Sequence, residues 1–251
     1  MDKALKSVLE WWEDVGVDVP DVMLTAPKRT PKARQAPRNK STSSAPRTAP
    51  AAANSIINAA PIAAKAKTLA ELKAAMDTFD AGALSDSARQ CVFARGNPDA
   101  DLMVIGEAPG REEDIAGKPF VGRSGQLLDK MLASIGLTEE DFYITNVVNW
   151  RPPKNRNPTP DEIAMCRPFL NRHIELMGPK VLLIVGGVSL SAMTGITGIM
   201  KNRGQWQSIN IGTGDIPALP IYHPAFLLRQ PALKKDAWRD LLALRERLQS
   251  A

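Results

Sequence analysis

From residue 68 onward the apolar positions switch between two periods. Leu102-Met103-Val104-Ile105 is an unbroken apolar run closed by Gly106, and Val181-Leu182-Leu183-Ile184-Val185 is another, closed by Gly186-Gly187. Phe142 to Val148 and Leu219-Pro220-Ile221-Tyr222 have the same strand-like character. Runs of this length without a polar face describe strands buried on both sides. Between them the period becomes helical. Ser124 to Ile135 sets Leu127, Leu128, Met131 and Leu132 on one side, and Lys234 to Leu248 forms a last helix. Thr68 caps a helix through Ala75, and a short helix is expected near Ser189–Met193. Thr159-Pro160-Asp161-Glu162 supplies a cap, a proline at the first position and acids in the first turn, so a helix runs from there to about Leu176, where Gly178 stops it. Strands alternating with helices predict an α/β fold: a three-layer α/β/α sandwich around a central, mostly parallel four-stranded sheet.

Upstream the pattern differs. Leu5, Val8, Leu9, Trp12 and Val15 fall on one face of a short helix over residues 3–15, stopped by Gly16. That helix either docks on the main domain through Trp11 and Trp12 or binds a protein partner. Residues 25–67 hold nine Lys/Arg and no acid, in a stretch rich in Pro, Ala and Ser. Such a composition buries too little apolar area to offset its ordering entropy, so a disordered linker is expected. The chain therefore divides into an amphipathic helix (1–24), a basic Pro/Ala-rich linker (25–67) and a folded catalytic domain (68–251).

Charge and composition sharpen this division. The net charge of +5 comes from a segment of −4 over residues 1–24, one of +9 over 25–67 and a neutral remainder. The basic character belongs to the linker, which is either a sequence-independent tether to nucleic-acid phosphates or a solvated spacer. With 44% hydrophobic residues, wholesale disorder is excluded. No apolar run is long enough to span a membrane, and no secretory signal opens the chain. Two cysteines, Cys91 and Cys166, indicate a reducing compartment, and a cytoplasmic location is expected. With only His173 and His223 beside them, a zinc site is not expected. A monomer is expected.

In a parallel sheet the ligand crevice lies beyond the carboxyl ends of the strands. There the chain delivers Gly106-Glu107-Ala108-Pro109-Gly110, then Asn146 followed by Arg151-Pro152-Pro153, then Gly186-Gly187-Val188-Ser189, and finally His223-Pro224-Ala225-Phe226-Leu227-Leu228-Arg229. Four strands each ending in glycine, proline or a lone polar residue mark a site. The Gly-x-Gly-x-x-Gly of dinucleotide binders does not follow the first strand.

The segments GEAPGREEDIAGKPFVGRSGQLLD, TNVVNWRPPKNRNPTPDE and HPAFLLR resemble the uracil-DNA glycosylase superfamily, specifically its family 4, the bacterial and archaeal iron–sulfur type. The resemblance covers about residues 75–248. It implies an enzyme of base-excision repair that hydrolyses the N-glycosidic bond of deoxyuridine in DNA, acting on chromosomal DNA and leaving an abasic site. By resemblance, Asn146 reads the uracil edge. A side-chain amide offers a donor and an acceptor, matching uracil O4 and N3–H. His223 donates to uracil O2, Phe120 stacks on the extruded base, and Glu107 orients water or opposes the charge of the oxocarbenium-like sugar. Ala108 and Gly110 belong to the same loop, Gly110 standing where other branches carry the bulky residue that excludes thymine. Leu227 and Leu228 resemble the wedge that fills the vacated stack, one expected to point inward and one outward. Gly187, Ser189 and Arg229 are candidates for phosphate contacts. Glu113 and Asp114 match the family's loop, as ligands of the site or as caps and ion pairs within it. None of these candidates is a lysine, so a monofunctional glycosylase is implied, without a Schiff-base lyase step.

The family's four-cysteine iron–sulfur cluster is a point of departure. Cys166 matches one ligand position, but Trp150 stands at another, and the N-terminal pair near Phe79–Gly82 is absent. Two cysteines cannot supply four ligands, so no cofactor is expected, with packing by Trp150 and Phe79 in its place. Two other readings remain: a protein that binds or traps uracil- or abasic-DNA with little turnover, using His223 as nucleophile, and a small-molecule nucleotide hydrolase. Covalent trapping relatives carry a basic insertion after the Gly106 segment, whereas this chain continues directly through GRSGQLLDK.

Overall fold

The structure is a computed structural model that describes residues 59–212 and 214–250. The predicted helix over 3–15 and most of the predicted linker lie outside the described residues. The linker's last part does not. Residues 59–65 are helical, and Ala59, Ala63 and Ala66 are buried in the core. Small apolar residues at this spacing make a stripe that fits closely against a neighbour, and the exposed Lys65 and Lys67 conceal it in the composition. The Arg172 guanidinium fastens the segment by donating to the Ala66 carbonyl at 2.9 Å. The folded body thus begins before residue 68.

In chain order the elements are α1 (Leu69–Asp77), α2 (Ala83–Ser87), β1 (Arg95–Gly96), β2 (Leu102–Gly106), α3 (Arg111–Ala116), α4 (Arg123–Ala133), β3 (Phe142–Asn146), α5 (Pro160–Met177), β4 (Val181–Val185), α6 (Gly187–Thr194), α7 (Ile199–Asn202), β5 (Gln207–Asn210), β6 (Asp215–Ile221), α8 (Pro224–Arg229) and α9 (Lys234–Gln249). The sheet has six strands in the order β1-β3-β2-β4-β6-β5, not four. The four expected strands form its parallel centre. The two additions, β1 and β5, pair antiparallel at the edges. Neither forms an apolar run: β1 has only two residues, and β5 is the largely polar Gln-Ser-Ile-Asn.

Residues of each central strand alternate between two cores, which gives the three layers. Met103, Ile105, Leu182 and Ile184 face one way, packing with Leu72 of α1 and Phe169 of α5. Leu102, Val104, Leu183 and Leu219 face the other way, with Leu128 and Leu132 of α4 and Leu241 of α9. The caps are those the sequence predicts. Thr68 accepts from the Glu71 amide, and Thr159 and Glu162 accept from each other's backbone amides at 3.2 and 2.8 Å. Gly178 closes α5 in the left-handed conformation. The parallel strands end together, so their last residues meet at one edge.

Candidate active site

The register of β2 against β3 sets Gly106 beside Asn146. The ladder continues past the strand ends, where the Val147 amide donates to the Gly106 carbonyl at 2.9 Å and the Val148 amide to that of Glu107 at 3.1 Å. The Glu107 loop is thereby fixed relative to Asn146. Gly106 has to be glycine. A Cβ there would lie 2.3 Å from Asn146 Oδ1 and 2.4 Å from the Phe120 ring. The missing side chain is the space in which amide and ring come together.

They come together in a cleft of about 590 Å³, also lined by Glu107, Ala108, Gly110, His223 and Arg229. Seven sequence candidates, from three strand ends, the α3–α4 loop and the end of α8, therefore share one cavity. Asn146 is 2% exposed, and its side-chain amide bonds to no described residue. An unsatisfied buried amide costs about 1–3 kcal/mol, which a complementary ligand edge would recover. Glu107 is partly buried, and its desolvation pushes the carboxyl pKa up.

His223 is the N-cap of α8, where its Nδ1 accepts the Ala225 amide at 3.1 Å. An accepting Nδ1 places the ring proton on Nε2 and makes the neutral imidazole a donor. Burial pushes its pKa down to about 4, aided by the nearby Arg229 charge and opposed by Glu113. Its ring lies against Phe120, with centroids 5.8 Å apart. Gly186, in the left-handed region at φ 94°, permits close packing: a Cβ there would approach the His223 Cβ to 3.1 Å.

Phe120 is itself unusual, a bulky residue at φ 55°. Such a conformation costs on the order of 1–3 kcal/mol and persists only where the surroundings enforce it. Glu113 is part of that enforcement. Its Oε1 accepts the Val121 and Gly122 amides at 3.0 and 2.8 Å, and its Oε2 accepts the Gly110 amide at 3.1 Å. It ties the Gly106–Gly110 loop to the segment bearing Phe120. Asp114 accepts the Arg89 amide at 2.8 Å and faces Arg151 at 3.8 Å. The two acids thus serve as cap and ion-pair groups.

Other candidates fall outside the cleft lining. Leu227 is buried against the α4 side of the sheet, whereas Leu228 is 40% exposed, giving the expected inward and outward pair. Gly187 begins α6 near Ile199. Ser189 is a correction as a phosphate-contacting hydroxyl: it is fully buried, and its Oγ donates to the Val185 carbonyl at 3.0 Å. It faces inward because a serine one turn into a helix can bond back to a carbonyl four residues earlier. The cleft also includes Ser124 and Asn155-Arg156-Asn157, which were not singled out individually in the sequence. The signal available was the run NRNP directly before the capped helix. Lys118 and Lys154, the lysines of the motif segments, are exposed and do not line the cleft.

The α/β domain thus brings a buried side-chain amide and an aromatic ring together in one polar cleft at its strand ends. A family model described as the uracil DNA glycosylase superfamily matches residues 93–242, and the chain belongs to that superfamily. It is 40% identical over 156 residues to a type-4 uracil-DNA glycosylase of Archaeoglobus fulgidus, covering 60% of this chain and 78% of that protein. The type-4 enzyme of Saccharolobus solfataricus is 39% identical over 193 residues, covering 70% and 88%. That of Thermotoga maritima is 42% identical over 143 residues, covering 55% and 71%.

The residues do not fit the iron–sulfur cluster that the resemblance implies. The chain holds two cysteines, both buried. Among the described residues no group of three or more His, Cys, Asp or Glu could hold a metal ion. Desolvation pushes the Cys166 thiol pKa up to about 12, which keeps it protonated. In the same core cluster Phe79 lies 4.8 Å from Phe169 and 6.1 Å from Trp150 between ring centroids. Among the described residues no helix is long and apolar enough to cross a membrane.

Proposed function

We propose that this chain is a monofunctional uracil-DNA glycosylase of base-excision repair, hydrolysing the bond between uracil and deoxyribose in DNA to leave an abasic site. The observation that carries the reading is the Asn146 amide, buried without a partner among the described residues and sharing with the Phe120 ring the space that a Gly106 side chain would fill. The base leaves the stack at a cost of a few kcal/mol and enters the cleft. Phe120 covers its face, and Asn146 pairs with its O4 and N3–H. As the glycosidic bond breaks, its electrons pass to the base, and the Nε2–H of neutral His223 stabilises the charge gathering on O2. The Glu107 carboxylate orients the water that adds to the sugar carbon and opposes the positive charge there, and the proton the water loses ends on the released uracil anion. Leu228 enters the vacated stack while Leu227 anchors its helix, and Gly187 and Arg229 contact phosphates.

The test is incubation of single- and double-stranded oligonucleotides containing one uracil, followed by alkali. Release of uracil with strand breakage only after alkali is the expected result. A stable shifted protein–DNA adduct would favour the trapping alternative, and absence of both would reject the two together.

The same domain works without an iron–sulfur cluster in this reading. Trp150, Phe79 and Phe169 supply by packing the cross-linking that a cluster supplies in cluster-bearing relatives. Protein purified without oxygen should carry far less than one cluster equivalent of iron and acid-labile sulfide, with activity unchanged by chelators. Stoichiometric iron would overturn this part of the proposal. The chain acts as a monomer in the cytoplasm, with the sequence of residues 3–15 a candidate contact for a protein partner and the basic stretch 25–67 one for DNA phosphates.

A further inference from the structure

A second anchor of the cleft lies outside it, on the edge strand. Arg95 projects from β1, whose antiparallel pairing places it opposite Ile144. The approach is tight: a Cβ on the adjacent Gly96 would fall 2.2 Å from the Phe142 carbonyl oxygen. The Arg95 side chain is 8% exposed and crosses the Phe142 ring at 5.8 Å. Its Nε donates to the Pro119 carbonyl at 2.9 Å and its Nη2 to the Phe120 carbonyl at 3.3 Å. The remaining donors meet Asp129 and, at 3.1 Å, Glu139. A guanidinium is suited to this task because its donors are fixed in one plane, so one group can bind two carbonyls and two carboxylates.

Helix α4 completes the arrangement. Gly125 and Asp129 are four residues apart and share a face. A Cβ on Gly125 would lie 1.8 Å from the Phe120 carbonyl oxygen, so glycine is what admits that carbonyl. One turn later Asp129 receives the Arg95 guanidinium. The Phe120 segment is therefore held from both sides, its carbonyls at 119 and 120 by Arg95 and its amides at 121 and 122 by Glu113.

We propose that Arg95 is a positioning residue for the base pocket: it holds Phe120 in its left-handed conformation, so that the ring stands beside Asn146 ready to cover the extruded base. This rests on the uracil-excising activity proposed above. Arg95 touches no reacting atom and acts through Phe120, which makes the test a matter of coupling.

Rates of uracil release from a single-stranded oligonucleotide are measured for the wild-type chain, Arg95→Gln, Phe120→Ala and the double variant, with free uracil as a competitive inhibitor. Arg95→Gln should lower kcat/KM by about 10- to 100-fold, the scale of an ångström-level misplacement. Its inhibition constant for uracil should rise in parallel. In the Phe120→Ala background the same substitution should cost about threefold or less, because the group it positions is gone. An equal fold-loss in both backgrounds would mean that Arg95 acts through general stability, and the proposal would fail while the activity stood. A wild-type chain that releases no uracil would overturn both. Should Arg95→Gln not fold, Asp129→Asn replaces it: it keeps Arg95 but removes a half-exposed partner. Its smaller loss should likewise vanish in the Phe120→Ala background, and an unchanged or additive loss would overturn the proposal.

Discussion

Replacing Asn146 with alanine should slow uracil release by about 10²-fold or more while leaving the fold at least as stable. The two halves come from one fact. The amide is 2% exposed and bonds to no described residue, so the free protein carries a desolvated polar group that stabilises nothing in the fold. Its removal deletes a cost in the free state and a pair of hydrogen bonds in the bound state. Residues that stabilise the fold behave oppositely: their loss lowers the unfolding midpoint first and activity afterwards. Single-turnover release from a uracil oligonucleotide, measured beside thermal unfolding, separates the cases. A variant that keeps its rate within about threefold would remove Asn146 from the assignment, since a two-bond edge contact is worth more than that. Discrimination adds a further check. No hydrogen bond from a described residue fixes the amide's orientation, so rejection of cytosine should weaken when Gly106 or Phe120, its neighbours around the missing Gly106 side chain, is replaced.

What the sequence reveals, and what it conceals, follows from how far each signal travels along the chain. The parallel strands and capped helices are local patterns: apolar runs end in glycine, and Thr159-Pro160-Asp161-Glu162 contains a whole helix start within four residues. Glu107, Asn146 and His223 were accessible because each closes or follows such a run. Arg95 was not, for it stands 25 residues from Phe120, on a two-residue strand with no apolar signature. The left-handed Phe120 could not be inferred either, because the glycine that accommodates its carbonyl, Gly125, lies within a helix where glycine usually signals only weak propensity. Ser189 shows the converse error. A hydroxyl near a strand end suggests an exposed donor, but its position one turn into α6 gives it a carbonyl partner inside the protein. Composition groups residues 59–67 with the linker, whereas the spacing of Ala59, Ala63 and Ala66 puts these three in the core.

His223→Ala should lower the release rate by about 10²- to 10³-fold, corresponding to roughly 3–4 kcal/mol of lost stabilisation for the departing base. The pH profile identifies the mechanism behind that loss. Because the Ala225 amide donates to Nδ1, a proton on Nδ1 would set two donors against each other, and burial adds to the penalty. The folded-state pKa of about 4 lies below the ordinary value of 6.5, so the imidazole is neutral at every pH above about 4 and donates from Nε2 throughout. The profile of kcat/KM reports the free enzyme's groups. It should therefore show no limb near 6.5. Its first acid limb should belong to Glu107, displaced upward by desolvation, and Glu107→Gln should retain only the His223 limb near 4. Stability follows the same sign. A histidine with a lowered folded-state pKa binds its proton more readily when unfolded, so its contribution is present above the unfolded value and is lost as pH falls from about 6.5 towards 4. The wild-type unfolding midpoint should fall over that window, and more steeply than that of His223→Ala. An alkaline limb near 6.5, with activity falling as pH rises, that vanishes in His223→Ala would instead show a charged imidazolium at work, with the α8 cap broken in the active state.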